Sequence, residues 1–231
     1  MTTIAGIRIP DSTMARAATE LVRDTEPDLL YNHSRRVFLF GALAGERQQL
    51  RYDPELLYIG AMFHDMGLID AYSSKTNRFE VDGANAARDF LSQYGVNDYD
   101  IEQVWASIAL HTTPGVPEHM KPVVALVTAG VEMDVLGLAY HEFGEEQRVQ
   151  VVAAHPREKD FKNGIIDAFA HGTIRKPDTT FGNVKADVLE LRDPGYKRLN
   201  FCQIILGSAW DDSDAGHTPR AGCGCADSDG A

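Results

Sequence analysis

Apolar positions recur along this chain every three to four residues, the spacing of one face of an α-helix, and no stretch alternates apolar and polar as a half-buried strand would. Start and stop signals cut the pattern into segments. Pro10-Asp11-Ser12 precedes a first helix running to about residue 23, Glu26-Pro27-Asp28 opens a second, and Asp53-Pro54 supplies a capping residue and then proline for a third. Gly45, Gly67 and Gly95 fit the corresponding stops. Asp82 caps an expected fourth helix through residue 94, Asn97 or Asp98 a fifth through residue 110, and Lys121-Pro122 begins a sixth. Further helices are expected at about 145–154, 158–171, 181–191 and 196–208. The predicted fold class is all-α, one helical domain over residues 1–210 followed by a polar, disordered tail at 211–231.

Four of these segments carry a His or Asp on their apolar stripe. His33 shares a helical face with Leu30, Val37 and Phe40. His64 and Asp65 end the apolar run 56–63, and His111 ends the run 104–110 with Val104, Ser107 and Ile108 on its face. Asp134 lies on the face of Val127, Gly130, Val131 and Leu138. A single buried His-Asp pair is commonly a satisfied core network. Leaving polar groups from four segments unpaired inside one domain would instead cost many kcal/mol, and a shared metal ion resolves the whole set. Imidazole and carboxylate suit zinc, the first choice, or iron, manganese, cobalt or nickel; the lack of thiolates argues against a closed structural zinc site and for an open, reactive one.

The stretches Asn32-His33-Ser34-Arg35-Arg36-Val37, Met62-Phe63-His64-Asp65-Met66-Gly67-Leu68 and Met133-Asp134-Val135-Leu136-Gly137 resemble the HD-domain superfamily of metal-dependent hydrolases and lyases. That pattern is an isolated His, a His-Asp doublet on a later helix and a distant Asp. The resemblance covers about residues 28–140 and implies a helical bundle around one or two metals, with His33, His64, Asp65 and Asp134 as ligands. Within the superfamily the chain is most similar to the cyanamide hydratase group, through its His-Ser-x-Arg-Val segment, its doublet and the motif Arg78-Phe79-Glu80-Val81-Asp82-Gly83-Ala84. Two departures matter. Many members carry Ala-Asp early in the last helix, where this chain has Ala129-Gly130, so Asp134 or Glu132 must serve; Glu132 is rotated about 160° from Asp134 on a helix of 3.6 residues per turn, and Asp134 is the expected ligand. Nucleotidase members tend to place Glu three residues after the doublet's Asp, where Leu68 stands here, which lowers the weight of a nucleotide phosphatase. A second metal would have to draw on His111 and His119.

The loops 69–78 and 112–119 follow the doublet and His111 and are expected to roof the site. Lys75 and Arg78 are candidates for binding an anionic group, and Phe79 for anchoring the loop or stacking on a substrate. The resemblance implies hydration of a small nitrile-type molecule such as cyanamide, with Asp65 or His111 moving protons. The alternative is a phosphohydrolase in which Lys75 and Arg78 neutralise phosphate oxygens and His111 assists the leaving group; a metal protein without turnover is a third reading.

Composition narrows the partners to small molecules. With 34 acidic against 22 basic residues the chain carries a net charge of −12 and no basic stripe interleaved with aromatics, so nucleic acid is not an expected partner. No apolar stretch reaches about 18 residues and no basic segment with an apolar core opens the chain, which points away from membrane and secretion and toward the cytoplasm. Three cysteines, two of them Cys223 and Cys225 in the glycine-rich tail, imply no disulfide framework, and a chelating role for that tail with His217 is a minor reading. A homodimer is the assembly expected on general grounds, with no interface identifiable in the sequence.

Overall fold

The computed structural model describes residues 2–206, the last two by backbone alone. Two compact units divide the chain, Met1–Arg198 and Leu199–Ala231. The described part of the second contains one helix, Phe201–Leu206. The tail containing His217, Cys223 and Cys225 lies outside the described residues.

The first unit is all-α apart from a small hairpin that the sequence pattern did not announce. Strands β1, Thr3–Ile4, and β2, Ile7–Arg8, pair antiparallel with Ile4 opposite Ile7. Ala5 and Gly6, both at positive φ, make the two-residue turn that suits such strands.

Helix starts follow the caps that the sequence offers. Ser12 Oγ accepts from the Ala15 amide at the head of α1, Thr13–Thr25. The Asp53 carboxylate accepts from the Glu55 and Leu56 amides before α3, Pro54–Phe63. Asn97 does the same for Asp100 before α5, Asp98–Leu110. Helix α2, Asp28–Arg47, runs past Gly45, which does not stop it; this glycine is buried in the last turns because a Cβ there would collide with Tyr52 and Leu126. Helix α4, Phe79–Gln93, begins three residues before the expected cap. Asp82 is free to serve elsewhere, and its carboxylate accepts from the Ser74 amide, the Ser74 hydroxyl and Lys176 Nζ. Helix α6, Pro122–Val131, continues into a wider turn, Glu132–Leu136, that Gly137 closes at φ 70°. Helices α7, Glu145–Ala154, α8, Phe161–Thr173, and α9, Lys185–Arg192, complete the unit. The last of these starts four residues later than its apolar pattern suggests, because Pro177–Thr180 forms a short 3-10 turn and Gly182 bends the chain at φ 70°.

Helices α2, α3, α5 and α6 pack into one apolar core. Glycines set their closest approaches: a Cβ on Gly130 would overlap the Val37 carbonyl, and one on Gly41 the Leu126 carbonyl. This contact carries the C-terminal end of α6 toward His33 on α2. Gly67 acts likewise at the 3-10 turn Met66–Leu68, where a Cβ would overlap the Phe79 carbonyl and push α4 away from the doublet. A smaller apolar cluster of Leu30, Leu68, Phe79, Phe161 and Ile165 ties α8 to this side of the molecule. No helix among the described residues is long and apolar enough to cross a membrane.

Candidate metal centre

Three helix positions deliver the chemistry. His33 sits in the second turn of α2, His64 directly follows the last residue of α3, and Asp65 lies between that helix and the next turn with φ −102° and ψ 0°. All three are fully buried. One ligand atom from each falls within 4.8 Å of the others.

Hydrogen bonds fix how the rings present themselves. His33 Nδ1 lies 2.7 Å from Asp134 Oδ2, and a carboxylate there can only accept, so Nδ1 carries the proton. His64 Nδ1 donates to the Ala61 carbonyl at 2.8 Å, and His111 Nδ1 donates to the Ile108 carbonyl at 2.7 Å. In the neutral rings each Nε2 therefore offers a lone pair. His33 Nε2 and His64 Nε2 nevertheless approach to 3.2 Å, which is unfavourable unless a positive charge, a proton or a metal ion, lies between them.

Asp65 supplies the matching negative charge. Its Oδ2 lies 3.2 Å from His64 Nε2 and 3.7 Å from His33 Nε2, while Oδ1 lies 3.7 Å from His111 Nε2. Neither Asp65 oxygen receives a hydrogen bond, and His111 Nε2 also has no partner. A buried carboxylate and a buried ring nitrogen left so would be costly. Zinc-like bonds of about 2.0–2.1 Å in tetrahedral geometry put ligand atoms roughly 3.3 Å apart, close to the separations observed. The residues present fit a divalent cation.

The electrostatics of the cluster agree. Burial alone would raise the Asp65 pKa, but the rings of His64, His33 and His111 outweigh it and hold the carboxyl well below its usual range. Burial lowers the pKa of His33, and takes His111 down to about 4 with help from His64. His64 goes up, because the Asp65 charge overcomes its desolvation.

Asp134 has a different set of contacts. Its carboxylate accepts from His33 Nδ1, from Arg36 Nε and Nη2 at 2.8 and 2.9 Å, and from Arg157 Nη1 at 2.7 Å. The structure brings Asp134 onto the outer edge of the His33 ring, opposite the Nε2 that faces Asp65. An acid so placed fixes the tautomer and orientation of a ligating histidine. The Glu132 side of this turn is not drawn into the cluster.

Of the residues expected to contact substrate, Phe79 is fully buried with its ring 5.6 Å from that of His111. Arg78 pairs with Glu80 at 2.7 Å, and Lys75 is exposed on the loop. The sequence reading missed the acids and bases around them. Glu80 is buried and binds Arg78, Thr112 Oγ1 and Lys185 Nζ, with Lys185 also donating to Thr112 at 2.8 Å. A signal existed, since Glu80 lies on the stripe of Gly83, Ala84 and Ala87, and Lys185 on that of Leu189. Glu26 is also buried, accepts from Ser34 Oγ at 3.3 Å, and is pushed well above its usual pKa by burial and by the Asp65 charge. Phe161 covers His33, with ring centroids 5.9 Å apart.

An all-helical domain that gathers buried histidines and an aspartate with ligand atoms within reach of one shared ion has the make-up of a metal-binding protein. The chain belongs to the HD domain family, whose model matches residues 30–160, and that family consists of metal-dependent hydrolases. No curated protein matches the chain.

Proposed function

We propose that this chain is a metal-dependent enzyme that adds water to a small, uncharged nitrile-type molecule such as cyanamide. His33, His64 and Asp65 hold the ion, with His111 beside them. A divalent ion held there would supply Lewis acidity, lowering the pKa of water and polarising the electrophile. His33 and His64 bring lone pairs already directed by their outer hydrogen bonds, and the apolar rings of Phe79 and Phe161 exclude bulk water. His111 Nε2, lacking any other partner, accepts a proton from water and returns it to the substrate nitrogen. In the reaction the water oxygen bonds to the nitrile carbon and one C–N π pair takes a water proton at nitrogen; the remaining O–H proton then leaves oxygen as the C=O bond forms, and the second C–N π pair takes that proton at nitrogen. Cyanamide gives urea, and an organic nitrile gives an amide.

The observation that carries this reading is that Arg36, Arg78 and Lys185, the buried and half-buried cations around the cluster, already have acidic partners. Arg36 is engaged by Asp134 and by the carbonyls of His155 and Pro156, while Arg78 and Lys185 are engaged by Glu80. A phosphate ester needs such charges for its oxygens, whereas a neutral nitrile does not. Phosphate-ester hydrolysis is the second reading, favoured by the hydrolytic chemistry of the family.

The test is an assay of the metal-loaded chain for urea from cyanamide beside phosphate from a generic phosphate ester, with Asp65→Ala as control. Urea formation that Asp65→Ala abolishes is the expected result. Phosphate release alone would replace the proposal with the second reading.

A further inference from the structure

We infer that the cleft on the far side of Asp134 binds a small organic anion, a carboxylate or phosphate on an apolar body, at a site separate from the metal cluster. The cleft encloses about 410 Å³, the size of a small-molecule pocket. Phe40, Tyr140 and Val152 form apolar walls, and Arg148, Arg157 and Lys162 line the same space. Three cations around one cleft run against the net charge of −12 carried by the chain.

Their donors are only partly engaged. Arg157 uses Nη1 alone, on the carbonyl and carboxylate of Asp134, and its guanidinium lies 4.1 Å from the centre of the Phe161 ring. Arg148 likewise uses Nη1 alone, on the Tyr140 and Phe143 carbonyls, and lies 4.0 Å from the centre of the Tyr140 ring. The other nitrogens of both, and all of Lys162 Nζ, have no partner among the described residues. Guanidinium groups held in this way keep a planar edge of donors that matches carboxylate or phosphate oxygens. Asp134 also lines the cleft, but its charge is already met by Arg36 and Arg157, so it does not turn an anion away. Leu136 and Tyr140 are 65% and 47% exposed at this place, which gives the apolar body of a ligand a surface to cover.

The site is coupled to the metal cluster through one carboxylate. Arg157 and His33 share Asp134, on Oδ1 and Oδ2 respectively. An anion that draws Arg157 away changes how firmly Asp134 holds His33, and binding at the two sites is then linked in both directions.

Calorimetric titration of the full metal-loaded chain with phenyl phosphate and with benzoate tests the inference. One probe is expected to bind saturably, with one molecule per chain, and its head group then assigns the ligand as phosphate or carboxylate. Lys162→Ala and the double variant Arg148→Ala/Lys162→Ala should weaken binding, the double variant at least tenfold, while Asp65→Ala, which removes the metal, keeps it. The bound probe should also shift the metal affinity of the wild-type chain. Absence of saturable binding by either probe would overturn the site. So would binding lost in Asp65→Ala and kept in the double variant, which would put the probe at the metal cluster, or binding indifferent to every variant.

Discussion

Asp134 engages three partners with two oxygens, and the ring it holds is His33. Replacing it by asparagine leaves the size of the side chain and removes the charge that orients this imidazole. Loss of such an outer partner costs about ten- to a hundredfold in metal affinity, and Asp134→Asn is expected to fall in that range when titrated against a competing chelator. A loss beyond a thousandfold would put Asp134 among the ligands themselves. His33, His64, Asp65 and His111 were legible in the sequence, because a polar residue on an apolar helical stripe announces its burial. The contacts of Asp134 were not legible in the same way. Its partners Arg36 and Arg157 lie 98 and 23 residues away, and Arg36 reads in sequence as half of an ordinary arginine pair. The burial of Glu26 gave no signal, since it sits where α1 ends and serves no stripe.

Helix α4 meets the C-terminal part of the unit through two buried ion pairs, Glu80 with Lys185 at the head of α9 and Asp82 with Lys176 in the turn after α8. Desolvation alone would raise the Glu80 carboxyl, but the Lys185 charge and the Arg78 hydrogen bond bring it down to about 2 from an ordinary 4.5. The unfolded chain then binds the extra proton first as pH falls. Stability from this group is complete above about 4.5 and drains away as pH drops toward about 2. Urea unfolding at a series of acidic pH values should show that slope in the wild type, and Glu80→Gln should flatten it; an equal slope in both would remove the pair from the account. Elements were read from the sequence where a cap announced them, as Ser12, Asp53 and Asn97 do. Two were misread: α4 starts on Phe79 without a side-chain cap and without the proline that marks the starts of α2 and α6, and a hairpin with two residues in each strand is too short to alternate.

The domain as a whole buries a carboxylate with no hydrogen-bond donor at its centre, so a cation that completes the cluster is bound by the folded chain and not by the unfolded one. Mass action then raises stability, by about 2.7 kcal/mol when the free ion stands at a hundred times its Kd. Thermal unfolding should move up on adding Zn²⁺ and back down with chelator, and Asp65→Ala should show neither shift. The bundle was foreseeable from periodicity, but its second layer of contacts was not, because Phe161 and Lys185 come to His33 and to Glu80 from outside the stretch that resembles the family. The outward hydrogen bonds of the three imidazoles have a practical sequel. Rings that arrive already turned, with each Nδ1 proton donated to a backbone carbonyl or a carboxylate, suit several imidazole-binding ions, so cellular supply is expected to act beside intrinsic affinity in setting which one enters. Elemental analysis of the protein from cells grown with zinc or with manganese in excess is expected to give different metal contents, and the same metal from both would show that the site selects.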